Sequence, residues 1–427
     1  MCVHYPNTST VFAHYRDQLF PVNEVMVTRS WPGWLARMAF VALAIQFSAN
    51  VARPLVTYRV LQLDGGSFEV GVIAASFSLL PVAIALPAGR WLDRRREPPV
   101  VRFGAALFVV GVVPMVWSVN LWSLAIGCAV TGLGQVLAMM GLQTHIANNS
   151  PPARQDARYG LFTIFTSLGQ IIGPIVGTAV AAGVPGGSGQ LSTAPGFVIA
   201  GLLAVAAALS TVGMRTADPR QRLAGAAKTR VGQGAGIRRV LTRRGVSAYI
   251  YVGMALFIAV DLIAVFLPAY AEENGVDARM VGLLLGVRAG CTMLSRLCLP
   301  LLVRAVGRTV LVRLSVLVAG VVLTAVPWLH TPVLLVAAMA LAGFPLGVGQ
   351  PLTMSEIAQR TSAELRGTAM GLRMVANRVG QVAIPALVGL VAAGVGVGAA
   401  FWMMGGLLVS AGVLPGLGRI DSRNRRR

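Results

Sequence analysis

The sequence predicts an all-α integral membrane protein, twelve transmembrane helices arranged as two pseudo-symmetric six-helix bundles, and three observations predict it. Hydrophobic residues make up 56% of the 427 positions and charged residues 12%, about half the charged share of an average soluble domain. Apolar runs close to the roughly 20 residues that cross ~30 Å of hydrocarbon recur along the whole chain. One pattern also occurs twice: Gly160-Leu161, Gly169-Gln170 and Pro174 return as Gly371-Leu372, Gly380-Gln381 and Pro385, an offset of 371 − 160 = 211. With the same offset Gly132 falls on Gly343 and Ile146-Ala147 on Ile357-Ala358, so the echo reaches beyond one helix. A repeat of half the chain inside apolar segments is the mark of parallel duplicated bundles.

Glycine, proline and charge clusters serve as boundaries. They place spans at 34–58, 69–89, 99–118, 121–145, 157–182, 195–214, 246–270, 279–302, 309–329, 332–355, 367–392 and 398–417. Residues 1–33 form a polar, aromatic arm without the apolar core of a secretory signal peptide, and Met1 and Met26 both fit as the start. Residues 34–214 hold the first bundle. Residues 215–245 form an Arg-rich linker with Gly225, Gly232, Gly234 and Gly236, whose part from Ile237 to Arg244 suits a short basic helix on the membrane surface. The second bundle occupies 246–417 and a basic tail 418–427.

A formal charge of +21 in a soluble chain would suggest nucleic acid. Here its distribution sets topology instead. Arginines collect in alternate connections: Arg90 and Arg94 to Arg96, Arg154 and Arg158, the stretch Arg215 to Arg244, Arg304 and Arg308, Arg360 and Arg366, and the tail from Arg419. The intervening loops carry Asp64, Glu69, Glu272, Glu273 and Asp277, or almost no charge. By the positive-inside rule both termini and the basic loops face the cytoplasm, which requires an even number of spans in a cell inner membrane. Four cysteines, Cys2, Cys128, Cys291 and Cys298, show neither a metal spacing nor a disulfide framework. No Gly-x-x-x-x-Gly-Lys-Ser/Thr loop and no catalytic His/Asp/Glu or Ser-centred cluster stands out. The expectation is therefore no enzyme, no cofactor, no nucleic-acid partner and a monomer in the lipid bilayer.

Ionisable groups inside spans are costly and mark function by default. Asp261 in span seven and Arg288 in span eight lie at matching depth, each roughly 9 residues from its outer end at 1.5 Å per residue. They are expected to pair, either as a permanent clamp or as a couple that opens when Asp261 takes a proton. Arg373 and Arg378 of span eleven stand where the repeat has Phe162 and Ser167. Arg378 falls near mid-membrane, while Arg373 has the reach to extend toward water. Arg53 sits beside Pro54 near the outer end of span one, with Asn50 and Gln46 about one and two turns deeper. His145 reads as a capping or interfacial residue at the cytoplasmic end of span four.

Two segments resemble a known family. Leu86-Pro-Ala-Gly89-Arg90-Trp-Leu-Asp93-Arg94-Arg95-Arg96 is similar to the Gly-x-x-x-Asp-Arg-x-Gly-Arg-Arg loop of the major facilitator superfamily. Gly89, Asp93 and Arg94 match, whereas Arg96 stands in the place of the later glycine. The second half has Arg304 where the first has Asp93. In span five, Gly169-Gln-Ile-Ile-Gly173-Pro174-Ile-Val-Gly177 resembles the family's antiporter signature, Gly-x-x-x-Gly-Pro-x-x-Gly. Its glycine stripe suits a tight helix crossing, and Pro174 bends the helix by removing a backbone bond.

The resemblance implies the family's fold and alternating access. It makes Gly89, Asp93 and Arg94 a gating motif, with Asp93 facing the N-terminal end of span eleven near Arg366-Gly367. Because spans one, four, seven and ten line the family's central cavity, Gln46, Asn50, Gln135 and Gln350 become lining candidates, joined by Arg53 and Arg378, although each amide could equally satisfy a neighbouring backbone. The function implied is proton-coupled export of small, partly apolar compounds, with Asp261 and Arg288 as the coupling pair. Uptake or exchange of an organic anion is the alternative within transport, and a receptor-like membrane protein that moves no solute is the alternative outside it.

Overall fold

The computed structural model describes residues 33–94, 97–150, 152–183, 191–214, 239–243, 245–361 and 365–414, and the side chains of 85–94, 97, 147–148, 152–157, 213 and 366–367 lie outside that description. Twelve principal helices follow one another. They are α1 (Gly33–Gln62), α2 (Ser67–Arg94), α3 (Glu97–Val116), α4 (Leu121–Asn149), α5 (Pro152–Ala181), α6 (Ala194–Ser210), α7 (Val246–Glu273), α8 (Ala278–Leu297), α9 (Arg308–Ala325), α10 (Pro332–Arg360), α11 (Arg366–Val395) and α12 (Gly398–Val413). Ten are long and apolar enough to cross a membrane, and α6 and α12 are shorter apolar helices.

Each helix falls on a span expected from the sequence, with one difference of substance. The eighth span stops at Leu297 and a separate short helix, Leu299–Val306, follows across Cys298. Pro300 accounts for the break: it lacks an N–H and its ring clashes with the carbonyl four residues back, so it suits the first turn of a new helix and not the middle of an old one. Gly307, with φ +82°, ends the short helix in a left-handed conformation that glycine adopts freely.

Helix pairing repeats between the halves. In the first, α1 packs against α4, α5 and α6, α2 against α4, and α3 against α4 and α6; in the second, the same pairs recur six helices later. Lipid offers apolar faces no drive to associate, so backbones approach where side chains are smallest. Gly132 of α4 leaves no room for a Cβ, which would lie 1.9 Å from the Phe77 carbonyl oxygen of α2. Gly343 of α10 meets the Arg288 carbonyl oxygen of α8 in the same way at 2.4 Å. Phe77 and Arg288 are themselves 211 residues apart, so the three-dimensional contact obeys the offset of the sequence pattern.

The halves meet through α2 with α11, α5 with α8, and α1 with α7. These junctions are also reciprocal. A Cβ on Gly71 of α2 would lie 2.3 Å from the Pro385 carbonyl oxygen and 3.0 Å from the Gly389 Cα in α11. One on Gly282 of α8 would lie 2.8 Å from the Pro174 carbonyl oxygen and 2.0 Å from Thr178 Oγ1 in α5. Every residue of the second set stands 211 positions from its counterpart in the first. These contacts lie at the starts of α2 and α8 and in the later parts of α5 and α11, so they close the face remote from the chain ends. Arg279 adds a bond there, donating from Nη2 to the Gly183 carbonyl oxygen at 2.6 Å.

Candidate functional site

Below this closed layer, between the halves, lies a cavity of about 320 Å³ lined from α1, α4, α5, α7, α8, α10 and α11. It reaches from Arg53 and Asp261 toward Gln143 and Arg296, near the ends of α4 and α8 on the chain-end face. Its size sits at the lower end of the usual range for small-molecule sites.

Gly169 and Gly173 let α5 come close enough to α1 to fix one wall: a Cβ at Gly169 would lie 2.7 Å from the Phe47 amide nitrogen, and at Gly173 2.8 Å from the Phe47 carbonyl oxygen. Gly177 continues the stripe against Val51. On that wall Gln135 Nε2 donates to Gln46 Oε1 at 2.7 Å, and Asn50 Nδ2 donates to the Gln46 carbonyl oxygen at 2.7 Å. Half of Asn50's donor capacity therefore serves its own helix.

A relay of polar groups seals the cavity against the closed layer. Arg53 of α1 donates to Asp261 Oδ1 of α7 across the two halves. Gln381 of α11 donates through Nε2 to Asp261 Oδ2 and accepts from Arg378 Nη1 at 2.9 Å through Oε1. Thr57 adds a bond from Oγ1 to the Val265 carbonyl oxygen at 2.9 Å. The Arg53 and Asp261 side chains keep 22% and 18% exposure, and both border the cavity. Beyond the relay is a void of about 30 Å³.

The structure brings Gln46, Asn50, Arg53, Gln135, Gln350 and Arg378 to one cavity, together with Asp261 and Arg288. It does not join Asp261 to Arg288 by a hydrogen bond or salt bridge, although the carboxylate lies near enough to act on that guanidinium through its charge. The carboxylate's partners are Arg53 and Gln381, because equal depth along two helices leaves the direction of each side chain open, and Asp261 faces α1 and α11 rather than α8. Arg288 is 6% exposed and its Nε has no hydrogen-bond partner. Arg373 does not extend toward water either: it is 6% exposed and donates from Nη2 to Gln350 Oε1 at 2.8 Å. His145 is fully buried, edge-on to Trp34 with ring centroids 5.3 Å apart, and its Nδ1 lies 3.0 Å from Asn149 Nδ2 at the end of α4. Gly89, Asp93 and Arg94 fall in the last turns of α2, and their side chains lie outside the described residues.

Gln170, Gln381, Thr292 and Arg296 line the cavity without having been singled out for it. For the two glutamines a sign was present, since both belong to the repeated Gly-Gln step. Arg296 is a further cation in an apolar span, close enough to its end to pass as a topology residue.

Comparison with known proteins agrees with this geometry. The family model described as Major Facilitator Superfamily matches residues 38–334 and, in a second alignment, 249–426. The second match begins 211 residues after the first, the offset of the internal repeat. A multidrug resistance protein, MdtG, from Salmonella arizonae is 23% identical over 171 residues, which cover 39% of this chain and 42% of the relative, and the Salmonella newport protein matches equally. The matched part thus spans about two fifths of those relatives. The nucleoside transporter NupG superposes with a TM-score of 0.72 at 14% identity over 89% of this chain and 97% of its own. A bacterial homologue of the human lysosomal transporter Spinster, inward-facing and unoccupied, gives 0.68 at 12% identity over 90% and 95%. At these identities the likeness is one of fold.

Proposed function

The chain belongs to the major facilitator superfamily, and on that premise we propose that it exports small, partly apolar compounds in exchange for protons. The single observation that carries the proposal is the Arg53–Asp261 bond, a charge pair that ties the two halves together and borders the cavity. Whenever the halves part on the closed face, this bond has to break. Parting the halves leaves each charge without its partner, so a group that compensates one of the two eases the opening.

Two partners can do so. A proton on Asp261 removes its charge, and a substrate in the cavity can compete for the arginine. Both release the same tie, so parting of the closed face is linked to proton and to substrate occupancy, and the resemblance of the segment from Gly169 to Gly177 to an antiporter signature favours exchange as the sense of that link. The basic connections support a cytoplasmic chain-end face, so the cavity described here opens inward and fills with cytoplasmic solute. MdtG, a multidrug resistance protein in a bacterium, supports export of partly apolar compounds through an inner membrane. So do Val136, Met139, Met140, Phe257 and Met374 in the cavity wall. We place both termini in the cytoplasm, read residues 34–214 and 246–417 as the two moving bodies of a monomer, and assign gating to Gly89, Asp93 and Arg94.

Proteoliposomes loaded with a pH-sensitive dye test the coupling. Dilution of a transported compound across the membrane is expected to move protons in the opposite direction in the native protein, and Asp261→Asn is expected to abolish that movement while compound binding persists. Normal proton movement in Asp261→Asn would make the carboxylate a structural tie and overturn the exchange mechanism.

A further inference from the structure

Arg288, Arg296 and Arg378 line the cavity, and among the described residues none of them forms an ion pair. The cavity's carboxylate, Asp261, is already engaged by Arg53. Arg378 is partly satisfied by Gln381. Arg288 is different: at 6% exposure it is more than nine-tenths buried, its Nε meets no acceptor, and its side chain borders the cavity. The fold does not require a cation there. The first half has Phe77 at the corresponding position and makes the same backbone contact to its own glycine.

An unpaired guanidinium held away from bulk water is costly to desolvate. A ligand that brings an anionic group recovers part of that cost, and a planar guanidinium suits a carboxylate or phosphate with two parallel bonds. A cationic ligand would instead add like charge. The cavity lining is also apolar in part, with Met139 and Met140 from α4 and Phe257 from α7. Methionine adapts to apolar bodies of varied shape.

We propose that the cavity takes amphipathic organic anions, with Arg288 as the anchor of the anionic group, Arg378 and Arg296 beside it, and the methionine-rich wall as the seat of the apolar body. This deepens the transport reading and rests on it for the route by which the ligand leaves. A free organic acid and the headgroup of an anionic lipid offer the same chemistry, and the experiment separates them.

The test is ligand-induced thermal stabilisation of the purified full-length protein in neutral detergent at pH 7. The probes are phenylalkyl and naphthylalkyl carboxylates, sulfonates and phosphate monoesters, each with its matched amide and amine, together with inorganic sulfate and phosphatidylglycerol. The anions are expected to bind at least about tenfold more tightly than their amides, and the amines more weakly still. Arg288→Gln is expected to weaken the anions by about tenfold to a hundredfold, the range of a hydrogen bond to a charged group, and to leave the amides unchanged. If that variant is not recovered folded, Arg378→Gln is read for the same selective loss.

Equal affinity for acid and amide, or a variant that weakens both alike, would overturn the proposal. So would inorganic sulfate or phosphatidylglycerol matching the organic acids, since the apolar wall would then play no part in free-acid recognition. Anions that bind selectively but are not moved in proteoliposomes would overturn the transport reading and leave the binding site standing. Proton-driven movement of amines in preference to acids would do the reverse.

Discussion

The two halves share a backbone plan and differ in what they present to the cavity. Gly71 against Pro385 and Gly282 against Pro174 are one contact made twice, as are Gly132 against Phe77 and Gly343 against Arg288. At the cavity the correspondence fails. Gln46, Asn50, Arg53 and Gln135 have Phe257, Asp261, Ala264 and Leu346 as counterparts, and Arg288, Arg296, Arg373 and Arg378 have Phe77, Ala85, Phe162 and Ser167. Gln170 and Gln381 remain alike, and both border the cavity.

The difference has a physical cause. Where two backbones touch, a Cβ has nowhere to go, so one residue type satisfies both copies. A side chain that borders a void meets no such demand and is free to take up chemistry. Most of the cavity's amides thus come from the first half, and its unpaired cations from the second.

The largest expected effect tests whether the chemistry belongs to one half. Asn50 and Asp261 are counterparts, so Asp261→Asn combined with Asn50→Asp moves the carboxylate across the pseudo-twofold axis. Proton-driven transport is expected to fall about a hundredfold in Asp261→Asn, and the combined variant is expected to stay at that level because an acid at position 50 lies one turn from Arg53 on the same helix and no longer ties α1 to α7. Recovery in the combined variant would show that either half can house the coupling group.

Smaller effects follow at the shared contacts. Gly71→Ala and Gly282→Ala each force a methyl group into a carbonyl oxygen of the opposite half, and overpacking of this kind costs about 1–3 kcal/mol. Each is expected to shift the protein toward the state open on the remote face, by similar amounts, read from spin-label distances across α2 and α11 and across α5 and α8. Unequal shifts would mean that one junction bears the closure and the symmetry is only apparent. The least effect is expected at the end of α2 and in the short helix that follows α8. Asp93→Asn is expected to slow cycling by about tenfold, the scale of one charge-assisted bond, and Arg304→Gln hardly at all, judged from initial rates at equal expression. Equal slowing by both would reduce the loop after α2 to a topology signal.

Much of the fold was legible because the bilayer imposes a plain code. Apolar length, glycine and proline punctuation and the placement of arginine gave all twelve helices, and the Gly-Gln-Pro echo gave the duplication of the halves. The break at Cys298 was missed because hydropathy continues through Pro300 while the backbone does not. The cavity residues of α1 and the deep charges of α7, α8 and α11 could be named, yet their partners could not. Height along a helix follows from counting residues, but which neighbour a side chain meets depends on how each helix is rotated about its axis. That is why Asp261 was matched with Arg288 and found with Arg53 and Gln381. Gln381 was in view throughout as a mark of symmetry, and nothing in one dimension said that it also grips a carboxylate.

The reciprocal glycine junctions have a consequence for how such a cavity can be furnished. A surface in which residue i meets residue j and j meets i is isologous, the kind that joins two identical subunits of a dimer. In such a dimer every substitution appears twice, so an acid placed at the Asp261 position would face its own copy and each guanidinium would be doubled in one small chamber. Joining the subunits into one polypeptide keeps the isologous hinge and lifts that restriction: a lone carboxylate can stand opposite a lone arginine, and cations can gather on one wall without an equal number on the other.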